Sequence, residues 1–207
     1  MVSERCARSA PGEVDTRHRA PLAVAVRRLL LDRSNLATLY LYGVGVRKDA
    51  LAAVRWYQFS AQKGDPIGQC NLASLYFVGK EVSKDYGEAA RWFRVGAEQG
   101  LPAAENDLAF MYYRGQGVIQ DYAEGLKWML LAADHGYAQA QTNLGYIYEQ
   151  GKGVSMDYVT AYMWYSLASE KDPRAAVRIK SLSRLMSANQ RFEAKNRASA
   201  WLSSHRG

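Results

Sequence analysis

The chain has 207 residues, 48% of them hydrophobic and 23% charged, with a formal net charge of +7. This is an ordinary globular composition for a chain the size of one domain, and it excludes collagen-like and low-complexity architectures. No apolar run approaches the roughly 18 residues of a membrane-spanning helix, and with Cys6 and Cys70 as the only cysteines the chain needs no oxidising compartment.

Residues 1–21 mix Arg, Glu, Pro and Ser without periodicity, so a disordered tail is expected there. The apolar stretch 22–31 is interrupted by Arg27 and Arg28 and has no cleavage pattern after it. A cytoplasmic location is therefore the expectation, and a truncated start would make it periplasmic or secreted. Residues 22–34 read as a decayed repeat, as a helix running into Tyr42, or as the remnant of an upstream repeat. A Cys6–Cys70 bridge is not expected, because it would join this tail to a helix.

From there a tryptophan recurs at a fixed interval: Trp56, Trp92, Trp128 and Trp164. Other columns keep the same period. They are Leu36, Leu72, Leu108 and Leu144; Tyr40, Tyr76, Tyr112 and Tyr148; Gly43, Gly79, Gly115 and Gly151; and Asp49, Asp85, Asp121 and Asp157. One supersecondary element copied four times accounts for this. Leu and Tyr, four residues apart, share a helix face. The Gly column sits where a helix end needs a left-handed residue. Asp85 with Glu88, and Asp121 with Glu124, have the spacing of a capping box opening the second helix. The Trp column, two turns later, is assigned to the core. Gly64, Gly100 and Gly136 close the second helix, and Asp65 followed by Pro66 restarts the next.

Two short antiparallel helices per copy cannot stand alone, and stacking buries their apolar stripes in one core. The expected fold is all-α: a right-handed α-solenoid of antiparallel helix pairs, four 36-residue repeats over residues 22–172, then C-terminal capping helices over 173–203 and a tail at 204–207. In the cap, Asp172 and Pro173 start a helix running to about Met186. Ser187 and Gln190 then form a capping box for a last helix ending near Trp201.

The segment from Asn143 to Val154, and that from Asp121 to Gly136, resemble the Sel-one-like repeat, a relative of the tetratricopeptide repeat. The resemblance covers about residues 31–172 and extends in character to the cap. Glu81 departs from it, replacing the second loop glycine of the second repeat. The resemblance implies a protein-interaction scaffold or adaptor, with the first helix of each pair lining a concave groove. It also implies a second reading, since some cysteine-rich members have been described as penicillin-binding or β-lactam-hydrolysing.

Three histidines, His18, His135 and His205, offer no metal spacing, and no cofactor or metal is expected. His135 ends a helix, where a cation suits the dipole. Ser60 and Lys63 fit the Ser-x-x-Lys of β-lactam-active enzymes. However, 15 Ser and 9 Lys in 207 residues give about 0.65 chance matches, and Ser60 aligns with Gly96, Ala132 and Ala168, a column of small packing residues.

Charge is uneven. Residues 35–170 carry 11 basic and 14 acidic groups, whereas residues 171–207 carry 9 and 2. The basic cap suits a solvated outer face; its other use is as a tether docking on an acidic surface. No aromatics interleave with these charges as in a nucleic-acid groove, so a protein or peptide partner is expected. A turn of about 100° per residue sets one row of first-helix positions opposite the core. In order, that row holds Leu31, Asn35, Thr38 and Tyr42; Ile67, Asn71, Ser74 and Val78; Ala103, Asp107, Phe110 and Arg114; Gln139, Asn143, Tyr146 and Gln150. From it, Asn71, Ser74, Asp107, Phe110, Arg114, Asn143, Tyr146 and Gln150 are the candidate partner contacts: amides for an extended backbone, aromatics for pockets and an arginine for a carboxylate.

Overall fold

The computed structural model describes residues 33–205. The expectations for the tail and for Leu31 lie outside the described residues. Within them every regular element is a helix. In order these are α1 (Arg33–Tyr42), α2 (Ala50–Gln62), α3 (Pro66–Val78), α4 (Tyr86–Glu98), α5 (Pro102–Arg114), α6 (Tyr122–Asp134), α7 (Ala138–Gln150), α8 (Tyr158–Ala168), α9 (Pro173–Leu182) and α10 (Ala188–Ser204). The fold is all-α and of the helical-solenoid class, with consecutive helices packed as pairs.

The chain divides into two compact units. The first runs to Met111 and includes residues 115–119; the second comprises residues 112–114 and continues from Gln120. In the first, α1 packs on α2, α2 on α3 and α3 on α4, around Ala37, Val54, Tyr57, Ala61, Leu72 and Leu75. In the second, α6 packs on α7, α7 on α8, and α8 on both α9 and α10, around Ala161, Tyr162, Tyr165, Ala168, Ala175 and Leu182.

Each helix-pair loop is closed by one recurring bond. The Asp amide donates to the Tyr carbonyl nine residues earlier: Asp49 to Tyr40, Asp85 to Tyr76, Asp121 to Tyr112 and Asp157 to Tyr148, at 2.9–3.1 Å. The glycines at 79, 115 and 151 cap their helices at φ near +70°, a conformation that costs a side-chain-bearing residue about 1–2 kcal/mol. The second loop glycine has a separate cause. A Cβ on Gly117 would lie 1.9 Å from the Tyr86 carbonyl oxygen, and one on Gly153 would lie 2.4 Å from the Tyr122 Cβ. In the second repeat the equivalent pair is Glu81 and Ala50. The described residues hold no non-glycine at positive φ, so Glu81 gives this loop a different turn.

The structure amends three expectations. Trp164 is buried, at 5% exposure, but Trp56, Trp92 and Trp128 are only half-buried; the deepest column of large side chains is the next residue, with Tyr57 at 1%, Phe93 at 0%, Met129 at 2% and Tyr165 at 0% exposure. The indole edge needs a polar partner, which the helix flank supplies: Trp128 Nε1 donates to Glu124 at 3.0 Å. This also amends the proposed capping boxes. Asp85 and Asp121 do accept from the N3 amides, but Glu88 turns to Arg91 and Glu124 to Lys127 and Trp128. The box at Ser187 and Gln190 closes reciprocally.

Helix α9 stops at Leu182, short of Met186; beyond it the Arg184 and Leu185 amides donate three residues back, to the Ser181 and Leu182 carbonyls, a tighter turn than the α-helical one, and Arg191 Nη1 caps the Ser183 and Met186 carbonyls. Cys70 is wholly buried in α3; the expectation about a Cys6–Cys70 bridge falls on Cys6, which lies outside the described residues.

Candidate functional site

The predicted row divides by burial. Asn71 in α3 and Asp107 in α5 are buried, at 4% and 1% exposure. Asn106 Nδ2 donates to Asp107 Oδ1 at 2.9 Å, so Asp107 belongs largely to the packed interior. Ser74 is half-buried and donates to the Cys70 carbonyl at 2.9 Å, a bond within its own helix. Phe110 is half-buried and meets the Phe77 ring edge-on at 6.4 Å. Arg114, Tyr146 and Gln150 are exposed, and Asn143 is half-buried.

Two concavities gather part of this row, one in each compact unit. In the first unit a cavity of about 240 Å³ lies among α1, α2 and α3, lined by Leu41, Tyr42, Tyr57, Asn71, Ser74 and Val78, with Lys48, Lys80 and Glu81 at its loops. It is mainly apolar. Its floor is the Tyr57 phenol, 2.9 Å from the Thr38 hydroxyl, which burial pushes up to about 12. The altered loop at Glu81 contributes to its rim.

In the second unit a cavity of about 360 Å³ is lined by Thr142, Asn143 and Tyr146 of α7, Tyr165 of α8, and Arg174, Val177 and Arg178 of α9. Its floor is Tyr165, whose phenol donates to Glu149 Oε2 at 2.6 Å. Burial and that carboxylate both hold the phenol protonated far above its ordinary range. Sequence reasoning missed Arg174 and Arg178 as lining residues. They were legible as cap charges, but only the folded α9 turns them toward α7. Phe110, Arg114 and Gln150 line neither concavity.

Arg174 is set by Asp172, to which its Nε and Nη2 both donate, at 2.9 and 2.6 Å. Burial raises the Asp172 carboxyl, but the hydrogen bonds of Arg174 and Thr142 outweigh it and hold it below its usual value. A depressed folded value stabilises the protein above the unfolded carboxyl's value, about 3.9, and that stabilisation is lost as pH falls through the folded value. Urea titrations at stepped pH should therefore show a gap between the wild type and Asp172→Asn that is full above about pH 5 and shrinks toward about pH 2. A gap independent of pH would remove this assignment.

The Ser60 hydroxyl is a capping element. It is 2% exposed and donates to Asp65 Oδ2 at 2.5 Å, while Asp65 accepts the Ile67 and Gly68 amides at the start of α3. Lys63 lies over the Phe59 ring instead. Among the described residues no cluster of His, Cys, Asp and Glu could hold a metal ion, and no helix is long and apolar enough to cross a membrane.

The comparisons agree with this architecture. The Sel1 repeat matches residues 34–65, 66–101, 102–137 and 138–173. A Sel1 repeat protein from Oxalobacter formigenes is similar in crystal structure, with a TM-score of 0.69 and 30% identity over 81% of this chain and 69% of that one. So is c5321, a protective antigen of uropathogenic Escherichia coli with an SLR fold, with a TM-score of 0.57 and 27% identity over 84% of this chain; the match covers 45% of that protein. Among curated proteins no match is found. The chain belongs to the Sel1 repeat family, whose members generally act as non-catalytic protein-interaction scaffolds.

Proposed function

We propose that this protein is a non-enzymatic adaptor that holds an extended segment of a partner protein on the outward faces of its first-of-pair helices. The observation that carries the reading is the pair of concavities. Each opens beside a first-of-pair helix, and each is lined by row positions: Tyr42, Asn71, Ser74 and Val78 in one, Asn143 and Tyr146 in the other. Their linings combine aromatic rings with a few amides and charges, the mixture that anchors side chains and satisfies an extended backbone. Phe110 and Arg114 supply further contacts that do not recur between repeats.

Affinity capture from lysate tests this. The Phe110→Ala/Arg114→Ala chain is expected to lose partner capture by about tenfold or more, as hot-spot truncations do, while its helical circular dichroism stays unchanged. Capture by both proteins at equal strength would refute the assignment of these contacts.

A further inference from the structure

The cavity of the second unit differs from that of the first in charge. Its lining holds two guanidinium groups, Arg174 and Arg178, and no carboxylate. The carboxylates nearby are already engaged. Asp172, 3% exposed, is occupied by Arg174. Glu149 receives the Tyr165 phenol and stands 3.6 Å from Arg178 Nη1. Each arginine is thus oriented by a largely buried acid and keeps further N–H donors.

A third cation stands at the rim: Lys152 Nζ lies 4.9 Å from the Tyr146 ring centroid and 3.4 Å from its hydroxyl. Arg178 lies over the same ring at 5.6 Å. Three cations face two carboxylates, and in sequence the segment 171–207, to which both arginines belong, is basic, 9 groups against 2. Such a surplus concentrates an anion where low-dielectric walls surround it.

Resting on the adaptor reading above, we propose that this cavity is the pocket for an acidic side chain: it takes an aspartate or glutamate of the extended partner segment. The carboxylate meets Arg174 and Arg178 through charge-assisted bonds. Tyr146 and Val177 flank its methylenes. Both are exposed, at 37% and 66%, so the cavity is open on that side and a segment can continue past it in both directions. That favours a side chain over a chain end.

The test uses the full chain on two immobilised pools of nine-residue peptides, blocked at both ends. The pools are identical except for Asp or Glu at the centre of one and Asn or Gln in the other. The acidic pool is expected to retain the protein about tenfold better, the worth of one charge-assisted hydrogen bond. Val177→Glu sets a like charge at an exposed position and is expected to abolish that preference, Val177→Lys to increase it, and Arg178→Gln to reduce it about tenfold, all with wild-type helical content.

Equal retention by the two pools, no retention by either, or an unchanged preference in Val177→Glu would overturn the pocket. So would retention only of neutral peptides with a free C-terminus. Lysate capture that persists while the acidic pool fails removes the pocket and leaves the adaptor reading intact; failure of both removes both.

Discussion

Phe93→Ala is expected to destabilise the protein by about 3–5 kcal/mol, the cost of emptying a fully buried aromatic site. Trp92→Ala is expected to cost less than half as much, although Trp is larger and is the residue that marks the repeat. The reason lies in the phase of α4. Phe93 has no exposed surface, whereas Trp92 is half-buried and lies at the flank, where Arg91 covers its ring at 4.4 Å. Removing Phe93 leaves a void that the packed helices cannot collapse into; removing Trp92 leaves a notch that water fills. Denaturant midpoints of the two variants decide the matter, and a Trp92→Ala variant as unstable as Phe93→Ala would return the core to the tryptophan column.

Gly145→Ala should also destabilise, against the repeat pattern. Ala37, Ala73 and Ala109 occupy the same column in the other three repeats, and Ala for Gly within a helix would ordinarily gain about 0.5–1 kcal/mol. Here a Cβ on Gly145 would lie 2.5 Å from the Tyr165 ring carbons Cδ1 and Cε1. Tyr165 cannot readily yield, because its ring is wholly buried and its phenol is held by Glu149. Tyr57, one column-mate, directs its phenol to Thr38 instead, and Ala37 sits in the same core without penalty. Overpacking of this kind costs about 1–3 kcal/mol, more than the helix propensity returns. Tyr165→Phe, which frees the ring from Glu149, should recover part of the loss in the double variant. Additive effects in that cycle, or a stabilised Gly145→Ala, would disprove the account.

What the sequence made legible follows from what repeats. Helix starts at Asp65, Asp121 and Asp172, and stops at Gly79, Gly115 and Gly151, depend on local backbone chemistry, so spacing was enough to place them. In the second helices the tryptophan column marks the core's flank: Trp164 is buried and Trp56 and Trp92 pack against the core cluster, but the large side chains one residue later lie deeper. Trp prefers a flank where its N–H finds a partner, and Tyr, Phe and Met, differing in type at positions 57, 93, 129 and 165, hide the true column from inspection of identities. The outward row was partly legible: Asn71, Ser74, Asn143 and Tyr146 do line concavities. Asp107 is buried and accepts from the amide of its neighbour Asn106, a contact that periodicity does not encode. Arg174 and Arg178 were visible only as charges in a basic segment, since their role depends on α9 lying against α7 and α8.

The bond from each loop aspartate to the tyrosine carbonyl nine residues before it has a bearing on how such a chain can change over generations. Each loop is a sealed joint of fixed length, so a copying error that adds or removes one residue inside it breaks the joint, whereas one that adds or removes a whole 36-residue module leaves every joint as it was. The array can lengthen or shorten only in whole modules, like links in a chain. Where the closing glycine gives way to Asp172, the rule ends, and with it the run of interchangeable parts.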